Sequence, residues 1–272
     1  MQMIDKEIKG KLDKQKDGLL AVNLKSVEKE LLAFESLAKR KLTQSSLRRL
    51  VELREQLHNH ARAAEGSLVV WATDPDKPIE TIPNKGSHQP GRSDHGVSLK
   101  AKISFVWRFE AIGQPSKNKP CWRVVVLKDS SVKVRLYLAS DCNDLLSNDG
   151  SCVAAWDFDV GNDQSPGCHF HAKYHECDEV RRMAFQGVDV PRLPTFIFMP
   201  TDVIEYVVGE LWQDECEKLA LNSDFQEWYK FSKKRSARVL EWHRAQASEA
   251  VGSPWMVIKT TKPKCHLLLD LG

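Results

Sequence analysis

The sequence predicts an α+β protein in which an N-terminal helical hairpin and C-terminal helices pack on a central antiparallel β-sheet. Three observations support this class. Apolar residues recur at helical spacing up to residue 66, strict alternation begins near residue 97, and helical spacing returns after residue 200. Successive strands joined by short turns favour antiparallel pairing, and a sheet of about five to seven strands is expected.

The N-terminal region, residues 1–66, is predicted to be helical. Its leucines and other apolar residues form one stripe, and the hydroxyls of Thr43–Ser46 can cap a second helix. An antiparallel pair of such helices can turn its stripe toward the body of the protein, a protein partner or a second copy. The stripe consists of Leu12, Leu19, Leu20, Leu24, Val27, Leu31, Phe34, Leu37, Leu47, Leu50, Leu53 and Leu57.

Residues 67–96 are predicted to be a loop or linker because prolines and glycines are dense there. The remaining residues, 97–272, are predicted to form the α+β domain. Its clearest strand runs from Leu99 to Phe109, where apolar and polar residues alternate. Two hairpins are expected to follow, the first joining 122–127 to 132–138 and the second joining 152–160 to 168–174.

Two helices are predicted after the sheet. Thr201 is expected to cap the first helix, and Ser223 or Asp224 to start the second. Residues 252–254, Gly-Ser-Pro, are expected to end the second helix, and residues 255–259 are expected to form a short final strand.

The composition excludes several classes of protein. A net charge of +3 is too small to indicate nucleic-acid binding without local clustering of charge. The seven cysteines include no C-x-x-C pair, which argues against a zinc ribbon or a thioredoxin-like motif. No apolar run is long enough to cross a bilayer, and no secretory signal is recognisable. A cytoplasmic protein without membrane contact is therefore expected.

An acid-x-acid pattern and a His-x-His pattern fall on the two arms of the second hairpin. One register sets Asp159 opposite His169 and Asp157 opposite His171, about 5 Å apart at Cβ. These four residues are the candidate catalytic groups and the candidate ligands of a divalent transition metal. The alternatives are cross-strand ion pairs on a solvated face, or ligand binding through the histidines without catalysis.

A basic face of the sheet is the second candidate site. It can follow a phosphate backbone, with Tyr137 as a stacking surface, although a charged outer face is also usual for a half-exposed sheet. Arg192, between Pro191 and Pro194, is a candidate for binding phosphate or carboxylate, and the alternative is that it braces the turn through backbone carbonyls. The predicted phosphate-binding residues are Lys100, Lys102, Arg108, Lys133, Arg135 and Arg192.

The segment 168–212 resembles uncharacterised bacterial proteins found in mobile and antiviral-defence islands. The resemblance rests on His-x-His at a strand end, then Pro-Arg-Leu-Pro, then a capped helix ending Gly-Glu-Leu-Trp at 209–212. It implies a cytoplasmic bacterial protein that works beside other gene products. Together with the basic sheet face and the His-x-His region, it leads to the hypothesis of an accessory or sensor subunit of a bacterial antiviral-defence system that binds nucleic acid, a nucleotide or a partner protein. The alternative function is that of a metal-dependent, nuclease-like hydrolase using the Asp-x-Asp and His-x-His residues.

Overall fold

An antiparallel sheet forms the centre of the protein, and helices from both ends of the chain bury one of its faces, which confirms the predicted α+β class. The computed structural model describes residues 21–84, 98–112, 115–116, 120–127, 129–139, 152–160, 168–174, 193–194, 198–220 and 222–249.

Nine strands are described, two more than the upper end of the expected range. They are β1 (Ala21–Asn23), β2 (Leu68–Ala72), β3 (Ile79–Glu80), β4 (Ser98–Ala111), β5 (Arg123–Val126), β6 (Ser131–Ala139), β7 (Cys152–Val160), β8 (Cys168–Tyr174) and β9 (Leu193–Pro194). Seven of them follow the order β1-β5-β4-β6-β7-β8-β9, while β2 and β3 both pair with β4.

The described helices flank this sheet in the chain. They are α1 (Leu24–Ala38), α2 (Gln44–His60), α3 (Pro200–Leu211), α4 (Gln213–Ala220) and α5 (Gln226–Glu249), and a 3₁₀ turn (Ser223–Phe225) precedes α5. Alternate residues of β4 enter one core with these helices, and we call that side of the sheet the core face. On β4 the core face carries Ala101, Ile103, Phe105, Trp107 and Phe109.

The N-terminal helices form as predicted and are capped by polar side chains. Asn23 Oδ1 accepts a hydrogen bond from the amide of Lys25 at 2.9 Å, and Thr43 Oγ1 accepts one from Ser46 at 3.3 Å. The apolar stripe of α1 and α2 is buried in the core of the chain itself, so any partner contact of these helices would use their other faces. Residues 1–20 lie outside the described part.

Strands also occur within two stretches for which none was predicted. Residues 21–23, predicted to be helical, form β1 and pair with β5. Residues 67–96, predicted to be a loop, include β2 and β3, which extend the sheet along β4. β2 is apolar throughout, and prolines at 75, 78 and 83 flank the short β3, so neither strand shows a clear alternation. Both are stabilised by pairing with β4 rather than by a pattern of their own.

The outer edge of β2 is occupied by side chains of α2. Gln56 both donates to the Ala72 carbonyl and accepts from its amide, each at 3.3 Å. Burial beside this edge lowers the pKa of His60, and the nearby Val70 backbone partly opposes that shift. Because the backbone groups of Ala72 are already bonded, this edge is protected from pairing with another strand.

The predicted hairpin between 122–127 and 132–138 is wrong. β5 and β6 do not pair with each other, but lie one after the other along β4, which pairs with β5 at Phe109–Ala111 and with β6 at Ser98–Val106. The residues between them make a bulge in which Asp129 has a φ of 60°. A short polar segment between two strand patterns is equally compatible with a turn and with such a bulge, and only the long partner strand decides between them.

Ser130 bridges this bulge, and its substitution tests the arrangement. Its hydroxyl accepts from the amide of Arg108 at 2.9 Å and donates to the Leu127 carbonyl at 2.8 Å, in a position only 1% exposed. We expect Ser130→Ala to lower the free energy of unfolding by about 1–3 kcal/mol, because two backbone groups lose their partner. Urea unfolding measures this. Ser131→Ala is the control, and an equal loss in both variants would contradict the bridging role.

The C-terminal helices begin differently from the prediction. Met199, not Thr201, is the N-cap of α3, and the Asp202 carboxylate accepts from its amide at 2.8 Å. Thr201 instead donates to the buried Glu30 of α1 at 3.4 Å, which links α3 to α1. The 3₁₀ turn at 223–225 precedes α5 near the predicted start. The predicted helix end at 252–254 and final strand at 255–259 lie outside the described residues.

Within the described part of the chain, no helix is both long and apolar enough to span a bilayer.

Candidate functional site

The side of the sheet opposite the core face carries the predicted site residues of β4, β6 and β7, and we call it the polar face. Directly opposed residues in antiparallel strands point to the same side of a sheet, so rungs of side chains can be followed across it. The register defines three rungs from β4 through β6 to β7: Lys102, Arg135 and Ala155; Ser104, Lys133 and Asp157; and Val106, Ser131 and Asp159.

The register predicted for the second hairpin is confirmed. β7 and β8 pair with Asp157 opposite His171 and Asp159 opposite His169. The side chains of both histidines lie outside the described residues. Among the side chains that the structure does describe, no group of three or more histidine, cysteine, aspartate or glutamate residues is arranged to hold a metal. Metal binding and catalysis by these four residues therefore stay predictions.

Asp157 takes part in a cross-strand ion pair. Its Oδ1 lies 2.7 Å from Nη1 of Arg135, and the side chains are 10% and 22% exposed. The same guanidinium nitrogen donates to the Val134 carbonyl at 3.0 Å. A largely buried carboxylate is thus balanced by a cation on the neighbouring strand, and a metal at Asp157 would have to compete with that cation.

The predicted basic residues of β4 and β6 all lie on the polar face, but in two different environments. Lys102 is partly buried, with its Nζ 3.8 Å from Glu80 and 5.1 Å from the ring centre of Tyr137. Lys100 is also partly buried, and Arg135 is engaged with Asp157. Lys133 and Arg108 are exposed, so they are the cations best placed to meet a ligand from solvent. Arg192, the remaining predicted cation, lies outside the described residues.

Sequence reasoning missed an apolar part of the polar face. Leu68 and Val70 of β2 are 73% and 51% exposed, and Val106 of β4 is 37% exposed. β2 pairs Val70 with Arg108 and Ala72 with Val106, which brings these residues together on one side. The apolar run Leu-Val-Val-Trp-Ala at 68–72 could have indicated a strand. Because every residue in it is apolar, the run does not show which side of the strand faces solvent.

No known protein family, curated protein or solved structure matches this chain significantly. The chemistry of the site is therefore argued from its own residues.

Three zones follow from this geometry. A cationic zone with one aromatic ring occupies the middle of the polar face and comprises Lys100, Lys102, Lys133, Arg135 and Tyr137. Carboxylates at Asp157 and Asp159 border it on β7, and the aliphatic residues of β2 and β4 border it on the other side. Such a surface suits an extended ligand that carries negative charge and flat apolar groups.

Proposed function

We propose that the protein is a binding subunit that holds single-stranded nucleic acid on the polar face of its sheet. The observation that carries this proposal is the register of β4 with β6, because it gathers four of the predicted cations and Tyr137 at adjacent positions. Cations arranged with an aromatic side chain are a common basis of single-strand recognition.

The exposure of individual cations indicates which of them meet phosphate. Lys133 and Arg108 are exposed on adjacent strands, whereas Lys102 and Arg135 lie beside Glu80 and Asp157. Exposed lysine and arginine side chains pair with phosphate and release counterions, which makes binding depend on salt. Because Lys102 and Arg135 are paired with carboxylates, they would add little net positive potential, and Lys133 and Arg108 would carry most of the phosphate contact.

Salt-dependent binding tests the proposal. We expect Lys133→Gln/Arg108→Gln to weaken binding of a short single-stranded DNA at low salt. The variant should also flatten the slope of log affinity against log salt by about 1.4, since each single-strand phosphate contact contributes about 0.7. Fluorescence anisotropy across a salt series measures both effects.

The control variant is Lys39→Gln/Arg40→Gln, which removes the same charge from exposed positions at the end of α1. It should leave the slope unchanged. Binding that is absent, or that responds equally to both double substitutions, would show that the basic part of the polar face is only a solvated surface.

A metal-dependent hydrolase, nuclease-like in substrate, is the second candidate function. It is favoured by the pairing of Asp157 with His171 and of Asp159 with His169 across adjacent strands. Carboxylate and imidazole groups together suit a divalent transition metal. Metal analysis of the purified protein with His169→Ala and His171→Ala tests it. A metal that both substitutions remove, together with lost cleavage of nucleic acid, would favour the hydrolase over the binding subunit.

The biological setting is also proposed. The likeness of segment 168–212 to bacterial defence-island proteins supports an accessory or sensor role in antiviral defence, in the cytoplasm and beside other gene products. A partner protein or a second copy would contact the solvent-facing sides of α1 and α2, where Leu32 and Val51 are exposed.

A further inference from the structure

We infer that Leu68, Val70 and Val106 form a platform on which the bases of the bound strand lie. This inference rests on the proposed function, and it names the part of the ligand that the apolar zone contacts. The residues are aliphatic and exposed, and they are contiguous with the cationic zone on the same face.

The register places one exposed cation on each side of Val106 along the strand direction, and it sets Leu68 opposite Glu110. Val106 lies on β4 between Ser104, which is opposite Lys133, and Arg108, which is opposite Val70. Lys133 and Arg108 are therefore each about 7 Å from Val106 along the strand direction, one before it and one after it. A nucleotide whose base rests on Val106 and Val70 would direct its two flanking phosphates toward these two cations.

A ligand on the platform must contact the polar face of the sheet rather than the edge of β2. Gln56 already bonds to the outward backbone groups of β2 at Ala72, so an added strand would find those groups occupied. Flat groups lying on the side chains remain compatible with this geometry. Nucleobases are flat, largely apolar on their faces and joined to the phosphates that the cations attract.

An abasic ligand separates contacts with bases from contacts with phosphates. The probes are a short fluorescein-labelled single-stranded DNA and its abasic counterpart with the same number of phosphates. We expect the wild-type protein to bind the base-containing strand about tenfold more tightly, as burial of part of an aliphatic surface allows. Leu68→Ser/Val70→Ser should lose this preference and keep the affinity for the abasic strand.

The control variant is Leu240→Ser, which changes an aliphatic residue that is 69% exposed on α5. It should keep the wild-type preference. Circular dichroism and sedimentation velocity on every variant check fold and oligomeric state.

The outcomes separate this inference from the proposed function. Equal, salt-dependent binding of both strands by the wild-type protein would overturn the platform and leave phosphate recognition standing. A base preference that survives Leu68→Ser/Val70→Ser would also overturn the platform. Binding of neither strand would overturn both proposals. A wild-type dimer that this variant dissociates would show that a second copy, not bases, covers the platform.

Discussion

Trp71→Ala is expected to lower the free energy of unfolding by about 3–5 kcal/mol, a large part of the stability of a typical domain. The Trp71 side chain is fully buried. Its ring lies 4.7 Å from that of Phe105 and 6.4 Å from that of Phe109, while its Nε1 donates to the Leu53 carbonyl of α2 at 3.1 Å. The substitution opens a cavity between sheet and helix and removes the hydrogen bond that joins them.

Trp71→Phe separates the two contributions. It keeps an aromatic ring in the core but cannot donate to Leu53, so it should cost about 1–2 kcal/mol plus the smaller loss of volume. Urea unfolding followed by circular dichroism gives both values. A loss below about 1 kcal/mol for Trp71→Ala would contradict the position of β2 between α2 and β4.

Arg135→Met is expected to lower the free energy of unfolding by about 2–4 kcal/mol, somewhat less than the breaking of a fully buried pair. Asp157 would lose its 2.7 Å partner while its carboxylate stays largely out of water. Lys133→Met is the matched control, because Lys133 is level with Asp157 in the register but exposed.

A double-mutant cycle completes this test. Adding Asp157→Asn to Arg135→Met should recover part of the lost stability, because a neutral amide needs no counter-charge. Two results would show that the ion pair does not stabilise the fold. Either Arg135→Met lowers the free energy of unfolding no more than Lys133→Met does, or adding Asp157→Asn restores none of it. The proteins of this cycle (the wild type, the two single variants and the double variant) also test the metal hypothesis, because Asp157→Asn removes a proposed metal ligand.

The pairing of the candidate site was predictable because it is local. β7 and β8 are joined by a short polar connection, and a short connection combined with matching alternation leaves few registers to choose from. The positions of Asp157 and Asp159 relative to His171 and His169 followed from that alone. The ion pair of Asp157 with Arg135 could not be predicted in this way. Arg135 lies on a different strand, and the sequence offers several cations on the polar face that could have paired with Asp157.

The apolar platform escaped prediction for a similar reason. Leu68 and Val70 belong to a short strand in which every residue is apolar, so periodicity could not distinguish its solvent side from its core side. Their exposure follows from the pairing of β2 with β4, which puts Trp71 in the core and its neighbours outside. The side chains that close the edge of β2 come from α2, far from β4 in the chain.

The sequence by itself determined the fold class, the two N-terminal helices with the cap of the second, the faces of β4 and the pairing of β7 with β8. Each of these depends on local periodicity, a capping side chain or a short connection. Only the tertiary structure decided that β5 and β6 lie end to end along β4, that β2 and β3 join the sheet, and that Arg135 neutralises Asp157. Backbone hydrogen bonds and buried charges must find partners wherever the chain brings them, and those partners are set by contacts between distant segments.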